Sequence, residues 1–155
     1  MRFKILWPGK TRNKDLRAVE KSYLEKINRM GKCEVFETKE AKGISEKNVD
    51  RIKKIEAAGL EKFIKDDYII CLYDQGKEMS SKEFTRFLGR LATSSKKIVC
   101  FVVGGFMGLE DSFVERAHSV LSLSKMTFSH ELCRLMLLEQ IYRSLSVLNG
   151  RQYAK

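Results

Sequence analysis

The chain has 155 residues, 43% hydrophobic and 32% charged, with 30 Lys and Arg against 20 Asp and Glu and a formal net charge of +10. That length suits one domain with a real core, and no apolar run reaches the roughly 18 residues needed to span a bilayer. The positive excess is spread along the chain, 18 basic and 12 acidic residues in 1–67 and 12 and 8 beyond, a field that favours a polyanion, most simply nucleic acid.

Arg2 to Trp7 alternates basic and apolar residues, lacks a signal-peptide core, and reads as a first strand closed by Pro8-Gly9. Leu16 to Met30 places Leu16, Val19, Tyr23, Ile27 and Met30 at helical spacing. Cys33 to Phe36 is a short second strand, and the polar stretch Glu40 to Asn48 is the best candidate for a mobile loop. A second amphipathic helix turns Ile52, Ile55, Leu60 and Phe63-Ile64 toward the core.

Tyr68 to Tyr73 is an unbroken apolar run ending in Asp74-Gln75-Gly76-Lys77, and Ser80 to Glu83 then forms a capping box for the next helix. Ile98 to Val103 is a second unbroken run, stopped by Gly104-Gly105. Such runs suit strands buried on both faces. A short helix over 111–117, a strand over 120–123 and a last helix from His130 to Leu148 complete the pattern, with Leu132, Leu135, Met136, Glu139, Tyr142 and Leu145 on related faces of that helix. Strands alternating with helices predict an α/β protein of three layers, α/β/α, around a mainly parallel sheet.

The chemistry is first defined by exclusion. The glycines fall as Gly104-Gly105-x-x-Gly108, which is neither a dinucleotide turn nor a phosphate loop. His118 and His130 are too few and too far apart for a metal site, and Cys33, Cys71, Cys100 and Cys133 form no Cys-x-x-Cys pair, so reduced core thiols in a cytoplasmic protein are expected. Three glycine- or serine-rich loops remain, Leu72 to Ser81, Gly104 to Gly108 and Ser122 to Ser129, each following an apolar strand. Ligands in open α/β sheets bind outside the carboxyl ends of strands. Gathered at one edge, the loops would form a pocket whose backbone groups read an adenine edge while Leu72, Leu123, Met126 and Phe128 hold its face.

Several segments resemble the RlmH family: Leu72 to Lys77 with Ser80-Ser81, Phe101 to Gly108, Leu121 to Phe128 followed by His130, and Glu139 to Arg143 with Tyr153. That family belongs to the SPOUT class of S-adenosylmethionine-dependent RNA methyltransferases and methylates N3 of a pseudouridine in 23S ribosomal RNA. The resemblance implies a single domain over residues 1–155 with a carboxyl-terminal trefoil knot over about 68–155. It implies that Leu72, Gly105 and the loop Ser124, Lys125, Met126, Thr127, Phe128 and Ser129 contact the cofactor, with Gly104, Gly108 and Leu123 shaping the walls. His130, Arg143 and Tyr153 would be catalytic, while Arg134, Arg151 and Lys155 would meet RNA. The expected partners are a second copy of the chain, through the last helix, and the ribosome with its large-subunit RNA, with neither membrane nor metal.

The chain departs from the family in three places. Its tail reads Tyr153-Ala154-Lys155 where the family has Tyr-His before a final residue, Ser129 replaces a proline ahead of His130, and Trp7-Pro8 replaces a smaller apolar residue and a valine. The absent imidazole motivates one alternative to the active enzyme, an RNA- or ribosome-binding protein of this fold with weak or lost catalysis; a further alternative is a methyltransferase with another RNA target.

Overall fold

The two unbroken apolar runs lie side by side at the centre of the sheet in the computed structural model, which describes residues 1–94 and 98–153. In chain order the elements are β1 (Arg2–Pro8), α1 (Lys14–Asn28), β2 (Lys32–Thr38), α2 (Val49–Glu61), β3 (Tyr68–Glu78), α3 (Ser81–Ala92), β4 (Ile98–Val102), α4 (Asp111–Glu115), β5 (Ser119–Ser122) and α5 (His130–Leu148). The strands run β2-β1-β4-β3-β5, and every pairing between them is parallel.

Alternate residues of each strand face opposite layers. Phe3, Ile5, Trp7, Ile70 and Phe101 pack with Ile27 of α1, Leu88 of α3 and Leu137, Leu138 and Ile141 of α5. Leu6, Cys71, Cys100 and Val102 pack on the other side with Ala57 and Leu60 of α2 and Phe113 and Val114 of α4. This is the expected three-layer α/β/α arrangement. Burial pushes the thiols of Cys33, Cys71 and Cys100 up to about 12, so they serve as core side chains.

The capping box at α3 is present: Ser80 Oγ accepts from the Glu83 N–H at 3.3 Å, and Glu83 Oε2 accepts from the Ser80 N–H at 2.8 Å. Other expectations shift. β3 continues past Tyr73 to Glu78, because both Leu72 and Lys77 register on Leu121 and the intervening residues bulge out. Gly76 is required there, since a Cβ would stand 2.6 Å from the Leu121 carbonyl carbon. Helix faces also rotate. Val19 of α1 and Ile55 of α2, expected inside, are 42% and 43% exposed. On α5 the buried residues are Arg134, Leu137, Leu138, Ile141, Ser144, Leu145 and Ser146.

Candidate functional site

The loops that follow β3, β4 and β5 meet at the carboxyl edge of the sheet and enclose a cleft of roughly 610 Å³. That volume lies within the range of small-molecule sites. Leu72, Tyr73 and Asp74 form one wall, and Val103 to Leu109 forms the second. Leu121 to Ser124 and Met126 to His130 form the third, Cys133 adds to it from the first turn of α5, and Lys53 reaches in from α2.

The glycine wall is held by its own backbone. Gly108 turns at φ +82° and its N–H donates to Gly105 O at 3.0 Å. A Cβ on Gly104 would stand 2.7 Å from the Gly108 carbonyl carbon, so only glycine fits where the chain folds back. At Gly105 the close neighbour is a side chain, Glu56 Oε2 at 2.8 Å. Glu56 is 6% exposed; its Oε1 accepts from the Ala41 N–H at 3.3 Å and its Oε2 has no partner among the described residues. Desolvation raises its pKa against the backbone bond and Arg134, which lower it.

The third wall is polar and internally bonded. Ser122 Oγ donates to Ser124 O at 3.0 Å, and Ser124 Oγ accepts from the Met126 N–H at 3.0 Å. Ser129 caps α5, its Oγ accepting from the Leu132 N–H at 3.2 Å. The residue that replaces the family's proline is therefore a helix N-cap. His130 follows, with the Phe106 ring edge-on at 6.2 Å. Burial, reinforced by the nearby Arg134 charge, lowers the His130 pKa below its ordinary 6.5, so the imidazole is neutral at pH 7. Phe106 itself is 76% exposed and offers a flat apolar face at the mouth.

Eleven of the residues expected from sequence line this cleft: Leu72, Gly104, Gly105, Gly108, Leu123, Ser124, Met126, Thr127, Phe128, Ser129 and His130. Lys125 points into solvent and is not in its lining. Arg143 and Tyr153 lie elsewhere. Arg143 pairs with Glu139 at 2.9 Å and covers the Tyr153 ring at 4.0 Å, and the Tyr153 hydroxyl donates to Glu139 at 3.1 Å. Arg143 lies thirteen positions on from His130, roughly 20 Å along α5.

Arg134 corrects the expectation of an RNA contact, because it is fully buried. It shares the inward stripe of α5, and its guanidinium donates to Pro8 O at 2.6 Å, Gly9 O at 3.3 Å and Thr11 Oγ1 at 3.1 Å. Arg151 is exposed beyond α5, and Lys155 and Ala154 lie outside the described residues. Lys53, Tyr73, Phe106 and Cys133 are among the lining residues that sequence reasoning did not single out as site residues. Phe106 and Tyr73 sit within the quoted motifs and Cys133 one turn after His130, whereas nothing local in the sequence marks Lys53. Among the described residues there is no group of three or more His, Cys, Asp or Glu able to hold a metal, and no helix is long and apolar enough to cross a membrane.

A parallel sheet with such loops gathered at its carboxyl edge defines an α/β protein of the kind that places ligands at that edge. The family model described as "Predicted SPOUT methyltransferase" matches residues 1–154. Ribosomal RNA large subunit methyltransferase H of Geobacter metallireducens is 38% identical over 154 residues, covering 99% of this chain and 98% of that one. The protein of the same name from Bacillus thuringiensis is 39% identical over 159 residues, with both chains covered in full. A Haemophilus influenzae structure described as a "probable methylase family protein" superposes with a TM-score of 0.55 at 15% identity, over 99% of this chain and 70% of that one, and supports the fold alone. The chain belongs to the SPOUT methyltransferases and, within them, to the RlmH family.

Proposed function

We propose that the protein transfers a methyl group from S-adenosylmethionine to N3 of a pseudouridine in 23S ribosomal RNA. The observation that carries this reading is the convergence of the three loops on one cleft with a neutral His130 and an exposed Phe106 at its mouth. The walls suit an adenosyl group: apolar side chains of Leu72, Leu121, Leu123 and Phe128, a main-chain wall at 104–109, and a wall glycine that tolerates no Cβ. When bound, this cofactor supplies an electrophilic methyl on a sulfonium centre. The protein's part is to orient the acceptor and remove its proton. Phe106 would stack the incoming base, and a neutral ring nitrogen of His130 would accept the N3 proton. Fixing that geometry is itself worth several kcal/mol.

The reading includes a cytoplasmic homodimer of one SPOUT unit per chain, knotted through its carboxyl-terminal half. Val19 of α1 and Val147 and Leu148 of α5 are exposed apolar side chains, and the Tyr23, Tyr142 and Tyr153 rings cluster on the face joining these helices. A second copy covering that face would bury them and would give Arg143 and Tyr153 access to a cleft they do not reach in their own chain. Sedimentation of the pure protein tests for the dimer.

The decisive experiment supplies labelled S-adenosylmethionine and ribosomes lacking the modification, then maps the label. Transfer to N3 of a large-subunit pseudouridine is expected. Cofactor binding without transfer would favour an RNA-binding protein with lost catalysis, and label at another nucleotide would replace the target.

A further inference from the structure

A second concavity, of roughly 800 Å³, opens along the free edge of β2 between α1 and the end of α2. Trp7 forms part of its floor, Phe36 and Phe63 pack ring to ring at 5.1 Å along it, and Lys14, Arg17 and Lys21 line it from one face of α1. Two acids also line it. Glu37 pairs with Arg17 at 3.4 Å, and Glu20 is buried and accepts from the Thr11 hydroxyl at 2.8 Å. Lys14 and Lys21 are exposed and pair with no acid among the described residues. Phe63 is 37% exposed, and the Trp7 indole N–H, although buried, has no acceptor among the described residues.

This groove adjoins the cleft. The Asn13 N–H donates to Glu131 Oε1 at 3.0 Å and the Arg12 N–H to Oε2 at 2.9 Å, which bolts the start of α1 to the start of α5. Lys14 follows Asn13 on the groove side, and His130 precedes Glu131 on the cleft side. Unpaired cations beside an aromatic surface are the chemistry of single-stranded nucleic acid sites, where bases stack and phosphates meet lysine.

We propose that this groove seats unpaired RNA flanking the nucleotide that enters the cleft, with a base against Phe36 and Phe63 and phosphates against Lys14 and Lys21. The proposal rests on RNA being the substrate. Trp7 is the one tryptophan of the chain and lies in the groove floor, so its emission senses changes in the groove above it.

A labelled 12-nucleotide oligouridylate titrated into the full-length protein at low salt should raise anisotropy and change Trp7 emission with the same midpoint. Lys14→Ala with Lys21→Ala should weaken binding about tenfold and lower the logarithmic salt slope by about 1.4, the loss of two single-strand phosphate contacts. Phe63→Ala should weaken binding at an unchanged slope. All variants should bind S-adenosylmethionine as wild type does. Lysine variants that titrate as wild type, a Phe63→Ala protein that binds as wild type does, or no binding at all would each overturn the groove. Ribosome methylation by the wild-type protein, measured alongside, tells whether the catalytic reading stands without it.

Discussion

The guanidinium of Arg134 lies 4.8 Å from the centre of the Trp7 ring, sealed from solvent, with its hydrogen bonds directed to the end of β1. It thereby fixes the first turn of α5, and with it His130, against the segment that leads into α1. Removing one partner of a buried charged network leaves the others unsatisfied, at a cost of about 3 kcal/mol. Arg134→Ala should show that loss in urea unfolding, with Arg134→Lys in between because an ammonium cannot reproduce the fork. An Arg134→Ala protein of unchanged stability but reduced salt dependence of RNA binding would return this residue to the RNA contact expected from sequence.

Two adjacent glycines should respond differently to the same methyl. At Gly104 the added carbon meets backbone, 2.7 Å from the Gly108 carbonyl carbon, and the turn has nothing soft to move. At Gly105 it meets the end of the Glu56 side chain. Gly104→Ala should reduce S-adenosylmethionine affinity more than about tenfold, as a shift of the cleft's backbone wall demands. Gly105→Ala should cost less and recover when Glu56→Ala is added, a rescue that Gly104→Ala should not show in calorimetric titrations.

The sheet and the cleft loops were legible because their signals are local. Apolar runs such as 98–103, the Ser80 to Glu83 capping box and the glycines after β4 each declare themselves within a few residues. What was hidden depends on partners distant in sequence. The extension of β3 to Glu78 exists because β5 accepts it, 44 residues on from Lys77 to Leu121. Helix α5 has half-buried side chains on most sides, so no polar face marked Arg134 as lying inside or outside. Lys53 enters the cleft from a helix of the opposite layer, a relation that spacing along the chain does not carry.

Glu56 makes a prediction with a definite sign. Its folded pKa is raised above 4.5, chiefly by desolvation. A carboxyl of this kind contributes stability that is present below about 4.5 and is lost as pH rises through the folded value. At pH 7.5 its charge is a burden. Glu56→Gln keeps an oxygen for the Ala41 N–H and should be more stable than wild type at pH 7.5. Thermal unfolding should show the gap closing toward pH 4.5. A variant less stable than wild type at pH 7.5, by a margin that shrinks toward pH 4.5, would mean that the ionised carboxylate is used in the fold.

His130 works in the opposite direction. Burial first, and Arg134 second, lower its pKa from 6.5, so the folded protein resists its protonation while the unfolded chain accepts it. Folding stability is therefore expected to decline as pH falls below about 6.5, and His130→Gln should lose less over that range. The same neutral imidazole predicts a kinetic limb. If its ring nitrogen accepts the N3 proton, methyl transfer measured as kcat/KM at subsaturating ribosome should fall below pH 6.5 as the imidazole protonates and stay level through neutrality on that account. His130→Gln should lower the rate by about 100-fold and abolish the acidic limb. A variant that loses the rate but keeps the limb would assign the proton to another group and leave His130 to position the loop. A variant with unchanged rate and limb would remove it from the chemistry altogether.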